Sequence, residues 1–191
     1  MTIEDHEATR ARAAEALSRG QFEEAIAGAT TLVEAGEPWL VDGLVRRAMA
    51  LEGWAVGADD RLERAAMDWR RLTEYASAEI AYRSLARVQL KLGDRAGAFQ
   101  NLQKAERIES TPELMLGFAE YYRTASPANL ELARTYYLRA AKRGRTKGML
   151  GYVETAYELD QPLAAAGMVL MAVIAMPFLM LFLRSRRHAG F

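Results

Sequence analysis

The chain has 191 residues, with 25 basic and 25 acidic side chains, two histidines, no cysteine and 51% hydrophobic residues. Without cysteine there are no disulfides, thiolate metal sites or cysteine nucleophiles, and His6 and His188 lie too far apart in sequence to suggest a histidine pair or triad in one subunit. A formal net charge of zero gives no electrostatic case for a nucleic-acid partner.

The first residues, Met1 to Glu7, are acidic and contain no apolar core of a secretory signal, so the domain is expected to remain on the cytoplasmic side. Alanine, leucine, arginine and glutamate then recur with helical spacing, and no run of β-branched residues predicts a strand. The pattern predicts helices at Glu4 to Arg19, Phe22 to Ala35, Pro38 to Ala55, Asp60 to Glu74 and Ser77 to Leu92. It continues with Arg95 to Ile108, Pro112 to Thr124, Ala128 to Arg143 and Lys147 to Leu159. Gly20, Gly36-Glu37-Pro38, Gly57-Ala58-Asp59-Asp60, Gly93-Asp94 and Ser126-Pro127 punctuate them. Thr111 before Pro112 reads as a capping hydroxyl ahead of a proline at the first helical position.

Leu163 to Leu183 carries no charged and no polar side chain, and Arg184, Arg186 and Arg187 follow directly. As a helix this stretch measures roughly 32 Å, the thickness of the hydrocarbon layer of a bilayer. Pro177 is tolerated in such a helix. The expected organisation is therefore a helical domain at 1–161, a transmembrane helix at 162–184 and a short basic tail at 185–191.

The predicted helices pair, and the pairs repeat. Gly20-Gln21-Phe22-Glu23-Glu24-Ala25-Ile26 returns in looser form as Gly93-Asp94-Arg95-Ala96-Gly97-Ala98-Phe99, and the small residues Ala25, Ala65, Ala98 and Ala133 fall 40, 33 and 35 residues apart. A small side chain suits a close crossing of two paired helices, and each pair leaves an apolar face for the next to cover. On these residues, together with Ala13, Tyr82, Ala86 and Ala105, the chain resembles the tetratricopeptide repeat (TPR) superfamily over about Thr9 to Tyr157. The fourth unit, with Leu116-Gly117, Tyr137, Ala140, Ala141 and Gly144, resembles the related Sel1-like repeat. The second is irregular, because the connection between Gly53 and Asp60 reads as long. The fold class expected is all-α, a helix-turn-helix TPR-like solenoid of about four repeats plus one C-terminal transmembrane helix.

The resemblance implies a concave face, built by the first helix of each unit, that grips a peptide or helix of a protein partner, and it implies no reaction and no cofactor. Carried onto this chain, that face takes Arg10, Arg83, Arg87, Phe118 and Tyr121. Arg83 and Arg87, four apart, share a helix side. Both a basic, partly aromatic groove for an acidic peptide segment and an ordinary solvated face remain open. Arg134, Arg139, Lys142, Arg143, Arg145 and Lys147 form a second cluster with no acidic residue between Glu131 and Glu154. Attraction to anionic lipid at the membrane surface and a role in solubility and helix-end electrostatics fit it equally. Glu23-Glu24 and Asp59-Asp60 are carboxylate pairs, but neighbours on a helix point apart, so solvation or capping is expected rather than catalysis. No phosphate-binding glycine loop is present.

These readings converge on a non-enzymatic, membrane-anchored, TPR-like interaction scaffold. The favoured setting is an accessory or assembly subunit of a bacterial membrane complex, single-pass, with the domain in the cytoplasm. A tail-anchored adaptor on an organelle surface, similar in architecture to the mitochondrial fission adaptor, is one alternative. A small enzyme or an enzyme's regulatory subunit is another, and it requires a pocket that the sequence does not display.

Overall fold

In the computed structural model, residues 2–55, 58–75 and 78–170 are described, and among them there is no strand. The helices are α1 (Ile3–Ser18), α2 (Phe22–Ala35), α3 (Leu40–Trp54), α4 (Asp59–Tyr75) and α5 (Glu79–Lys91). They continue with α6 (Arg95–Ile108), α7 (Pro112–Arg123), α8 (Leu130–Lys142) and α9 (Thr146–Glu158), and 162–170 is also helical. Residues with a hydroxyl, carboxylate or amide side chain start several of them. Thr2 and Asp5 form a reciprocal capping box, and Asp94, Thr111 and Asn129 accept backbone N–H groups of the first turns of α6, α7 and α8.

The chain divides into two compact units, Met1–Ser110 and Thr111–Phe191. In the first, each of α1 to α6 packs on its successor and α1 also touches α3. Three helical hairpins result. Leu44, Leu51, Trp69, Leu72, Leu85 and Val88 form the main core between the second and third hairpins. The small residues Ala25, Ala65 and Ala98 are completely buried, as the expected close crossings require. In the second unit α7 packs on α8, making a fourth hairpin, and α8 packs on α9. There Ala133 is completely buried, and Ala119 and Tyr137 join it in an aromatic-rich core flanked by Tyr122, Tyr136 and Tyr152.

Gly53 does not open a loop. It lies inside α3, and the ring of Phe22 from α2 covers it so closely that an added Cβ would come within 2.8 Å of the ring's Cζ. The repeat comparison reads a long connection from this glycine, but its missing side chain lets α3 continue past the turn between α1 and α2. The connection between α3 and α4 is therefore short.

Two polar networks brace the hairpins. Arg47 on α3 makes paired bonds of 2.8 and 2.7 Å to the buried Asp68 on α4. This carboxylate holds the guanidinium's pKa above its ordinary value. At the turn between α5 and α6, Asn101 donates to Gln89 at 2.7 Å, Gln89 donates to Asp94 at 2.7 Å, and Asp94 caps Gly97. Each buried polar group thus has a partner, which avoids the cost of an unsatisfied donor or acceptor.

Most of the expected membrane helix, 171–184, and the basic tail, 185–191, lie outside the described residues. Among the described residues, no helix is long and apolar enough to cross a membrane.

Candidate functional site: the ion-paired face of the first helices

The first helices of the three hairpins in the N-terminal unit are α1, α3 and α5, and ion pairs tie them together. Arg10 on α1 reaches Asp42 on α3 at 3.4 Å, and Asp42 also takes two bonds from Arg46 at 2.6 and 3.0 Å. Further along α3, Glu52 receives two bonds from Arg87 on α5, at 3.0 and 2.8 Å, and lies 3.7 Å from Lys91. Its side chain is only 8% exposed and also accepts the indole N–H of Trp69 from α4 at 2.8 Å. On α5 itself, Glu79 binds Arg83 at 2.6 Å.

The arginines expected on this face are there, but carboxylates neutralise them. Arg10, Arg46, Arg83 and Arg87 with Lys91 meet Asp42, Glu52 and Glu79. Arg83 is largely covered, whereas Arg10 and Arg87 are about half exposed. Sequence reasoning missed the acids. Glu79 was legible, four residues ahead of Arg83 on one helix side. Glu52 was not, because its partner lies 35 residues away and no local pattern joins them.

Among these charges sit two exposed apolar side chains, Met49 on α3 and Ile80 on α5. Met49 is seven residues from Asp42 and three from Arg46, and Ile80 is three from Arg83 and seven from Arg87, so each shares a helix side with the ion pairs. Such a surface offers two apolar contacts framed by fixed charges of both signs. A partner segment with an apolar side flanked by charge can match it.

The remaining candidates are in the second unit. Phe118 is 3% exposed and stacks on Tyr136 at a centroid distance of 5.0 Å, so its ring is core packing. Tyr121 is half-buried and meets Tyr122 edge-on at 5.3 Å. Arg139 lies over the Tyr136 ring at 5.2 Å, and Arg145 pairs with Glu113 of α7. Lys142, Arg143, Arg145 and Lys147 surround the turn between α8 and α9 and are exposed. The structure therefore gathers the basic cluster at one turn, with Arg139 one helical turn back along α8.

Successive helical hairpins with buried alanine crossings define a TPR-like all-α repeat fold. No protein-family model matches the chain, and no curated protein matches it. Among solved structures it is similar to TTC0263, a thermophilic TPR protein of Thermus thermophilus, with 23% identity and a TM-score of 0.65 over 86% of this chain and 81% of that one. It is also similar to MamA, with 14% identity and TM-scores of 0.62 and 0.60 in two crystal structures, covering 88% and 82% of this chain and 90% and 89% of theirs. At these identities the likeness is one of fold.

Proposed function

We propose that this protein is a membrane-tethered, TPR-like scaffold that serves as an accessory or assembly subunit of a bacterial membrane complex. The face of α1, α3 and α5 receives the partner, the apolar segment 163–183 anchors the chain, and the domain works in the cytoplasm. The observation that carries the partner face is the exposed pair Met49 and Ile80 set among interhelical ion pairs. A partner helix or extended segment with apolar anchors and acidic flanks matches it, because half-exposed Arg10, Arg87 and Lys91 remain able to meet a second carboxylate.

The anchor rests on the uninterrupted apolar sequence and the arginines after it. The basic turn between α8 and α9 adds attraction to anionic headgroups, about 1 kcal/mol for each cation near the surface.

Replacing Ile80 with a photoreactive phenylalanine analogue tests the partner face. The expected result is one crosslinked protein partner that is lost from the Arg83→Glu, Arg87→Glu double variant and absent when the probe replaces Met67 on α4. Crosslinking that is equal at Met67, or that survives the charge reversal, refutes the assignment.

A further inference from the structure

We infer that α9 and the helical stretch 162–170 form a fifth hairpin of the same design as those of α1 with α2 and α5 with α6, and that this docking competes with insertion of the apolar segment into a bilayer. The second half of this inference rests on the membrane reading above.

The turn is the first observation. In the hairpin of α1 and α2, Gly20 has φ 73°, the N–H of Gly20 donates to Leu17 O at 3.1 Å, and that of Gln21 donates to Ala16 O at 2.9 Å. In the hairpin of α5 and α6, Gly93 has φ 81°, with Gly93 N–H to Leu90 O at 3.2 Å and Asp94 N–H to Gln89 O at 2.9 Å. The same pattern closes α8 ahead of α9 at Gly144, φ 83°, with Gly144 N–H to Ala141 O at 2.9 Å and Arg145 N–H to Ala140 O at 3.2 Å, and it returns after α9 at Asp160, φ 57°, with Asp160 N–H to Tyr157 O at 3.0 Å and Gln161 N–H to Ala156 O at 2.8 Å; the turn therefore marks a helix-to-helix connection, and the buried alanine that follows it carries the pairing. Asp160 is the one described residue other than glycine with positive φ. Aspartate tolerates the left-handed region better than most residues but is still strained there, which marks a turn imposed by the packing around it.

Register is the second. In those two hairpins and after α9 the crossing alanine follows the left-handed residue by five positions: Ala25 after Gly20, Ala98 after Gly93, and Ala165 after Asp160. Each of these alanines is completely buried, and each donates its N–H to the residue four before, at 3.0, 3.0 and 3.3 Å. Ala165 stands 32 residues after Ala133 and so extends the spacing of the earlier repeats. Around it Leu163, Val169 and Leu170 are exposed, as expected when one side of a helix is docked and the other is not.

Docking and spanning make exclusive use of the same residues. A hairpin that holds 162–170 takes those residues from the span, and the thirteen apolar residues after them would measure about 20 Å as a helix against the roughly 30 Å of a hydrocarbon core. An antiparallel hairpin also returns the chain at residue 170 toward the start of α9, where Arg145 and Lys147 are exposed. Inserting the segment from Leu163 with the hairpin intact would draw those cations into hydrocarbon, which is unfavourable for a charged side chain. The segment therefore has two alternative partners, α9 or the bilayer.

Ala165→Leu and Ala166→Leu in the full chain separate the terms. Both add the same apolar volume to the segment, but Ala165 is fully buried and Ala166 is exposed. Overpacking at position 165 is expected to lower the melting temperature by about 3–10 °C, with little change at position 166. When each chain is synthesised cell-free beside phosphatidylethanolamine–phosphatidylglycerol vesicles, the alkali-resistant fraction of Ala165→Leu should exceed that of Ala166→Leu at least twofold. Equal melting of the two variants overturns the fifth hairpin. Lower melting with equal vesicle retention overturns the competition. If no chain is retained by vesicles, the membrane reading and the competition both fall, while a lowered melt still supports the hairpin.

Discussion

Glu52 joins the core of the N-terminal unit to its candidate binding face, and removing its charge separates the two roles. Its carboxylate, 8% exposed, accepts one bond from the buried indole of Trp69 and two from Arg87, with Lys91 nearby. Breaking a buried ion pair costs about 3–5 kcal/mol when the orphaned partner stays dry, but Arg87 and Lys91 are each 47% exposed and rehydrate. Glu52→Gln keeps an oxygen for Trp69, so the expected loss is about 1–2 kcal/mol. Glu52→Leu also orphans the indole N–H, adding about 1–3 kcal/mol. Urea unfolding of both variants, and of a Glu52→Gln, Arg87→Gln cycle, measures these terms; the cycle should return a coupling of at least about 0.5 kcal/mol. Glu52→Gln should also tighten binding of an acidic peptide in low salt, because Arg87 and Lys91 lose their internal counter-charge. Equal stability of the Gln and Leu variants would remove the indole bond from the account. A coupling indistinguishable from zero would remove the ion pair.

Ala98→Arg tests the repeat register, since it drives a long cation into a completely buried crossing; we expect a loss of at least about 2 kcal/mol by urea unfolding, and parental stability would withdraw the register and the face assigned from it. Tyr137 supplies a pH test. Burial, and then the Glu120 carboxylate, raise its pKa despite the opposing Arg123 guanidinium. A raised folded-state value means that the neutral phenol's contribution is complete below the ordinary phenol pKa, near 10, and is lost as pH rises above it. The stability advantage of the parent over Tyr137→Phe should therefore shrink as pH rises from about 9 to about 11, and a constant difference would contradict the burial account.

How far the sequence could be read depends on the range of each interaction. Helices α2 and α6 match the bounds expected from periodicity residue for residue, and local signals mark where each starts: acids in the first turn of α2 and the capping Asp94 ahead of α6. Gly53 divides two readings: periodicity places it in the helix Pro38 to Ala55, as the structure does, whereas the repeat comparison reads a long connection starting there. Its structural use depends on Phe22, 31 residues earlier, whose ring occupies the space a side chain would need. Arg87 depends on a distant residue in the same way, since its charge was visible and its partner Glu52 was not. Phe118 adds the case of an aromatic residue at a face position that turns inward to stack on Tyr136 of the neighbouring helix. Asp160 concealed the fifth turn for a further reason: glycine marks the equivalent position in the first and third hairpins, and composition gives no warning that aspartate will adopt the same conformation. Once the turn is seen, a segment that hydropathy assigns wholly to a membrane has a buried alanine at the repeat spacing, and its first turns belong to the fold as much as to any bilayer.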